Sequence, residues 1–231
     1  FGGKSLANGE GLGKVISIIE NKVNAGEKIS VVVSARGNAT DELEDILNKA
    51  HKGKDFKEDF EVFKNYQKEP LPNIDFSEEF SVLEKLFEGV SLLHDFSKKT
   101  KDEILAQGEL LSVKMVSELL NQKNIKANAT DTRQLIKTDD VFGNAKPISQ
   151  LSKDNIKKYF KESDSDMVHI VTGFIASNSK NETTTLGRNG SNYTAALLAN
   201  YLDAEELQNA TSEATAELKQ VLEAGSLQTG L

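Results

Sequence analysis

The sequence predicts an α/β fold in which a mostly parallel sheet is flanked by helices. Two features carry this prediction. Residues 29–34 (ISVVVS) and 167–172 (MVHIVT) are short, uncharged at neutral pH and rich in β-branched side chains. Such runs read as strands buried on both faces, as a helix-covered parallel sheet requires. Around them lie longer stretches with apolar residues three and four apart, the spacing of amphipathic helices. Strands alternating with helices define the α/β class.

In chain order, residues 10–24 place Val15, Ile18, Ile19 and Val23 on one helical face. The strand at 29–34 lies between Glu27-Lys28 and Arg36-Gly37. Asp41 and Glu44 have capping-box spacing, which predicts a helix from there through Ala50. Residues 51–75 are the most polar stretch, with Pro70 and Pro72 near its end, and read as a surface excursion of helix or loop. Phe80, Leu83, Leu86 and Phe87 form another helical stripe, and 104–120 a long one. Residues 127–136 suit a short strand and a turn. The second buried strand ends at Gly173, and Ser191 is placed to cap a helix through Tyr201. There is no internal repeat and no low-complexity tract.

The 231 residues carry 36 acidic and 28 basic side chains, for a net charge of −8. That balance disfavours nucleic acid or an anionic membrane as partner, since both need a positive surface. Cysteine is absent, which removes disulfides, thiolate metal sites and cysteine nucleophiles and fits a reducing, cytoplasmic setting. No apolar run approaches the roughly 20 residues that cross a bilayer. Phe1-Gly2-Gly3-Lys4 has no signal-peptide pattern.

Ligands of open α/β sheets bind beyond the carboxyl ends of the strands. Three loops there could bind anions. Gly2 and Gly3 let backbone N–H groups converge on a phosphate, or simply make a tight turn. Residues 34–40 (SARGNAT) offer hydroxyls to a carboxylate or phosphate, or to their own backbone. Residues 186–194 (LGRNGSNYT) set Arg188 between glycines at the start of a helix. There a guanidinium and a helix N-terminus can together grip a carboxylate. This last loop is neither a Walker loop nor a dinucleotide fingerprint. Elsewhere the signals are structural. His51, His94 and His169 lack metal-ligand spacing, and His169 reads as a core residue. Lys161, Glu162, Asp164 and Asp166 read as a solvated turn, and Phe76, Phe80 and Phe87 as core.

Taken in order, these segments resemble the catalytic domain of aspartate kinases in the amino-acid kinase family. The resemblance is carried by FGGKSLAN at 1–8, SARGNATD at 34–41, QGELLS at 107–112, GFIASN at 173–178 and GRNGSNYTA at 187–195. It implies a three-layer αβα sandwich with a mainly parallel central sheet, and ATP-dependent phosphorylation of the β-carboxylate of L-aspartate. That is the first step toward lysine, threonine and methionine. Mg²⁺ would accompany ATP. By the same resemblance Phe1, Gly2 and Gly3 line the phosphate path, and Ser34 and Thr40 contact aspartate. Glu109 receives the α-ammonium, and Arg188 pairs with a carboxylate beside Ser191. Asn192 stands at a catalytic position, and no resident metal site is expected. The expected partners are L-aspartate and ATP, with no nucleic acid and no membrane, and assembly into a homo-oligomer through regions outside this sequence.

The sequence departs from the motifs in several places. Lys4 stands where they have Thr or Ser, and Asn192 where they have Asp. Their lysine would precede Phe1. Residues 1–209 read as the kinase domain, incomplete at both ends. Residues 210–231 read as a helical tail unlike the family, so the chain looks like part of a longer one, in some members a bifunctional aspartokinase/homoserine dehydrogenase. Two alternatives remain open: a related kinase of the glutamate or acetylglutamate type, and a kinase-like regulatory module with impaired catalysis.

Overall fold

The computed structural model describes residues 1–208, so the predicted tail lies outside the described residues. The fold is α/β, as predicted. It starts with a short helix α1 (Gly3–Leu6) and then α2 (Gly9–Asn24), capped by the Asn8 side chain on the Gly11 N–H. Strand β1 (Ser30–Val33) follows. Four helices come next: α3 (Ala39–His51), α4 (Lys57–Lys68), α5 (Ser77–Leu93) and α6 (Lys98–Gln122). Then come β2 (Ala127–Thr130), a 3-10 turn (Thr132–Gln134) and β3 (Lys137–Thr138). The remainder is α7 (Ser149–Glu162), β4 (Val168–Thr172), β5 (Ile175–Asn178), β6 (Thr183–Thr185) and α8 (Gly190–Tyr201).

β4 pairs in parallel with β1 on one side and β2 on the other. A second small sheet has the order β3-β5-β6, parallel in the first pair and antiparallel in the second. The two predicted strands are therefore direct neighbours, with Val31 beside Ile170 and Val33 beside Thr172. Strand side chains alternate between faces. Val31, Val33, Val168 and Ile170 enter a core with α2, α3, α5 and α6, whereas Val171 enters another with Ile156 of α7 and Leu197 and Leu198 of α8. Helices thus cover both faces of the parallel strands, as the three-layer expectation requires.

The structure corrects several local expectations. Asp41 and Glu44 form no capping box: α3 begins earlier, at Ala39, and Asp41 lies in its first turn, where a carboxylate still favours the helix dipole. Residues 51–75 are not merely a surface excursion. α4 buries Phe60 and Phe63, which stack on each other, and Phe60 meets Phe80 and Phe87 of α5 edge to face. His169 is buried as expected and contacts the Thr130 hydroxyl through Nδ1 at 3.1 Å. His94 and His51, distant in sequence, meet in space, with His94 Nδ1 3.4 Å from the His51 carbonyl. Among the described residues no cluster of His, Asp or Glu could hold a metal ion.

One buried cation ties these elements together. Arg36 is fully buried. Its guanidinium donates to the carbonyls of Leu6 (3.0 Å), Ala7 (2.9 Å) and Tyr66, and to the Glu69 carboxylate (2.7 Å). It also stacks on the Tyr66 ring, 3.8 Å from the centroid. Arg36 therefore joins the turn after α1 to the end of α4. Arg36→Met removes the only donor to the Leu6 carbonyl among the described residues, one of two donors to the Ala7 and Tyr66 carbonyls and the stack on Tyr66, and should lower stability by about 3 kcal/mol. Urea unfolding followed by circular dichroism measures this. A loss under about 1 kcal/mol would contradict the clamp.

Candidate active site

The site forms where β1 and β4 end side by side. Gly173, just after β4, donates its N–H to the Val33 carbonyl (3.0 Å), so the loops leaving the two strands start in contact. On the β1 side, Phe1 runs alongside the strand: its N–H donates to Val32 O (2.6 Å) and its carbonyl accepts from Ser34 N–H (3.1 Å). Gly3 then packs backbone to backbone on the next loop. Its carbonyl accepts from Gly37 N–H (2.9 Å), and a Cβ on Gly3 would lie 2.4 Å from the Ala35 carbonyl oxygen. Only glycine permits that approach. Gly2 is the N-cap of α1, in an extended conformation.

On the β4 side, a Cβ on Gly173 would meet Ser191 Oγ at 2.4 Å. The start of α8 thus sits directly on the end of β4. Thr194 Oγ1 accepts from Phe174 N–H (3.2 Å) and donates to the Gly190 carbonyl (3.0 Å), fixing this contact. The N-cap of α8 is Asn189, in the left-handed region at φ 57°, and not Ser191, which falls in the first turn. The correction leaves the Ser191 hydroxyl free to face Gly173 rather than serve the helix backbone.

Between these two loops sits Glu109, in the middle of α6. It is only 2 % exposed, and its Oε2 has no hydrogen-bond partner among the described residues. Burial pushes its carboxyl up to about 8, while the nearby N–H groups of Ala35 and Gly173 and the charge of the Phe1 ammonium pull it only part of the way back. The preceding Gly108 allows the approach, since a Cβ there would lie 3.0 Å from the Ala35 side chain. A buried carboxyl with one oxygen unpaired among the described residues is costly, and a cation placed against it would offset that cost.

The structure therefore brings Glu109, Gly3, Ser34, Gly173 and Ser191 to one place, the carboxyl ends of two adjacent parallel strands. Ser34 and Thr40 are half-buried, and neither hydroxyl makes a side-chain hydrogen bond among the described residues. Arg188 is exposed in the turn before α8 and forms no ion pair among the described residues; Asn192 is half-buried in the first turn. Arg36 lies in the middle of the 34–40 loop but turns away from the site. Asp102, discussed below, was not singled out in the sequence, because its partners lie at 143 and 185 and local spacing does not reveal them.

The sequence matches the Amino acid kinase family over residues 1–214, and the chain belongs to that family. It is 32% identical over 218 residues to the lysine-sensitive aspartokinase 3 of Escherichia coli, covering 90% of this chain and 46% of that protein. It is 30% identical over 219 residues to a bifunctional aspartokinase/homoserine dehydrogenase of Buchnera aphidicola, covering 88% of this chain and 26% of that one. The structure is similar to E. coli aspartokinase III in complex with lysine and aspartate, with a TM-score of 0.77 and 30% identity over 89% of this chain and 47% of that one. It is also similar to the same enzyme with aspartate and ADP, with a TM-score of 0.75 and 31% identity over 89% of this chain and 46% of that one. The chain thus spans about half the length of the aspartokinase 3 relative and about a quarter of the bifunctional one.

The Glu109 environment has a measurable consequence. In the unfolded chain its carboxyl ionises near the ordinary glutamate value of 4.5, whereas in the folded chain it keeps its proton to about 8. The folded state therefore binds the extra proton between those limits, so this stabilising contribution is complete below pH 4.5 and is lost as pH rises through 8. Glu109→Gln removes the titration. Relative to wild type, the variant should gain stability between pH 5 and pH 9, by an amount on the order of 4 kcal/mol. Paired urea melts at the two pH values measure it. A difference independent of pH would contradict the buried, protonated carboxyl.

Proposed function

We propose that this chain is the catalytic domain of an aspartate kinase, which transfers the γ-phosphoryl group of ATP to the β-carboxylate of L-aspartate and yields 4-phospho-L-aspartate. The observation that carries the reading is Glu109: a buried carboxylate oxygen with no partner, at the mouth of two parallel strands, fits the ammonium of an amino acid. Its position within the family's motif and the aspartate and ADP complexes of the similar E. coli enzyme support the same substrate.

The roles follow from charge and geometry. Glu109 ionises as it receives the α-ammonium. Arg188, exposed before the helix N-terminus, pairs with a substrate carboxylate in bidentate fashion. Ser34, Thr40 and Ser191 offer hydroxyls to the carboxylate oxygens. The backbone of Phe1, Gly2 and Gly3 lines the path of the transferring phosphate; the Phe1 N–H is held by Val32, so the glycine N–H groups are the ones that would offset its negative charge. The β-carboxylate is already ionised at neutral pH, so it attacks phosphorus directly and needs no strong base. One P–O bond forms as the bond to ADP breaks, and catalysis is positioning and charge neutralisation. Asn192 lies one residue beyond Ser191 and directs an amide, rather than the motif's carboxylate, at the same region. Mg²⁺ would accompany ATP, held chiefly through its phosphates.

The Asn192 amide favours one second reading, a family member with reduced catalysis. Coupled ADP release with a panel of amino acids separates the two, on this chain and on any longer product of its gene. Aspartate-dependent ADP release supports the kinase. Folded protein that binds aspartate and Mg-ATP without turnover supports the other reading.

Two outcomes are expected in that assay and its binding counterpart. Arg188→Ala should lower kcat/KM for aspartate by at least about a hundredfold, since a desolvated bidentate pair is lost. Kinetics near wild type would remove Arg188 from the site. Because Glu109 holds a proton at pH 7 when the site is empty, aspartate binding should release up to about one proton. Calorimetry in buffers of different ionisation enthalpy measures it, and Glu109→Gln should abolish it. Buffer-independent heats would contradict the assigned role.

A further inference from the structure

The long helix α6 carries a second buried carboxylate. Asp102 lies seven residues before Glu109, two turns away on the same face of the helix. It is 1 % exposed, and every hydrogen bond it makes leads to the segments around Arg188. Its Oδ2 accepts from the backbone N–H of Thr185 (3.0 Å) and of Gly143 (2.8 Å), and its Oδ1 accepts from the Thr185 hydroxyl (3.0 Å). Thr185 ends β6, three residues before Arg188. Gly143 belongs to the loop between β3 and α7, which lies against the same turn. There Ala145 N–H donates to the Thr185 carbonyl (2.8 Å), and a Cβ on Gly187 would meet Asn144 Oδ1 at 2.4 Å. Beyond Thr185, Leu186 N–H donates to the Phe174 carbonyl (2.8 Å), and Gly190 N–H to the Gly187 carbonyl (3.2 Å).

A buried carboxylate that accepts three hydrogen bonds is a strong staple. Burial pushes the Asp102 carboxyl up, while the Gly143 and Thr185 donors pull it down, so the donors are matched to the charged form. Glu109, on the same helix, keeps one oxygen unpaired among the described residues. One helix therefore fixes two things at a set separation: its free carboxylate, and the backbone from which Arg188 projects.

We propose that Asp102 is a positioning residue for catalysis, holding the 183–190 turn so that Arg188 meets the substrate at a fixed distance from Glu109. The proposal rests on the assignment of Arg188 to the substrate carboxylate. Asp102 acts on aspartate through Arg188 and does not touch substrate.

The test is a double-mutant cycle. Asp102→Asn keeps the shape but turns one acceptor oxygen into a donor facing N–H groups. It should raise KM for aspartate by about tenfold or more while changing KM for ATP by less than about threefold. Placed on Arg188→Ala, the same change should lower kcat/KM by less than about a further twofold, because the group it positions is already gone. Multiplicative losses would overturn the proposal, as would equal losses for both substrates. If Asp102→Asn fails to fold, Thr185→Val, which removes only the hydroxyl contact, replaces it in the same cycle with a smaller effect in the same direction. Amide exchange provides a readout independent of turnover: the Gly143 and Thr185 N–H groups should lose protection in Asp102→Asn, and unchanged protection there would refute the staple. If Arg188→Ala alone has wild-type kinetics, the substrate assignment fails instead, and the cycle distinguishes the two failures.

Discussion

The structure depends on a single unmet charge requirement. Glu109 sits at the centre of α6, buried, with one oxygen that no group among the described residues satisfies. A fold selected only for stability would put an apolar side chain there, because desolvating a carboxyl costs more than its neighbours return. The protein accommodates the cost by holding the proton and by surrounding the helix with apolar contacts. Leu105, Leu111, Met115 and Val116 of α6 all lie in the main core. The helix is thus positioned by its apolar residues, and the carboxyl is carried into place by them.

The loops around Glu109 are arranged by close backbone approach. Gly3 on Ala35, Gly108 beside Ala35, and Gly173 against Ser191 each bring main chain to within contact of its neighbour. Such contacts leave little room for movement, and they set N–H groups and hydroxyls where side-chain rotamers could not place them as tightly. Arg36 braces the arrangement from behind, linking the turn after α1 to α4, while the 183–190 turn is braced from α6. Phosphoryl transfer to a carboxylate asks chiefly for fixed positions and screened charge, and a site built from backbone and buried charge supplies both.

The sequence disclosed the parts of this fold whose signals are local. The β-branched runs of β1 and β4 and the stripes of α2, α5 and α6 are periodic and long enough to read. Strands β3, β5 and β6 have two to four residues and are rich in Thr, Ser and Asn. Their polar side chains are buried with polar partners, as Thr138 of β3 is with Thr184 of β6, and no period-2 pattern reveals such pairing. α7 was missed for a similar reason, since only Ser152 and Ile156 of its residues are buried. The helix starts at Asn38 and Asn189 were missed because Asp41 and Ser191, capping residues of equal preference, stand nearby, and tertiary contacts decide the boundaries. Arg36 and Asp102 have partners far along the chain, and no spacing rule could have found them. The site residues themselves were legible chiefly through the family resemblance. Glu109, read from composition alone, is one acidic residue among many on a helix.

The central claim, that Glu109 is a buried and protonated receptor for an amino-acid ammonium, can be tested by the ¹³C chemical shift of its side-chain carboxyl as pH is varied. In the free protein the midpoint should lie near 8. Saturating L-aspartate should move it below about 6, because an ammonium within a few ångströms favours the charged form. Succinate, which has the carboxylates without the ammonium, should leave it unchanged. A midpoint near 4.5 in the free protein, or the same displacement with succinate as with aspartate, would contradict the account.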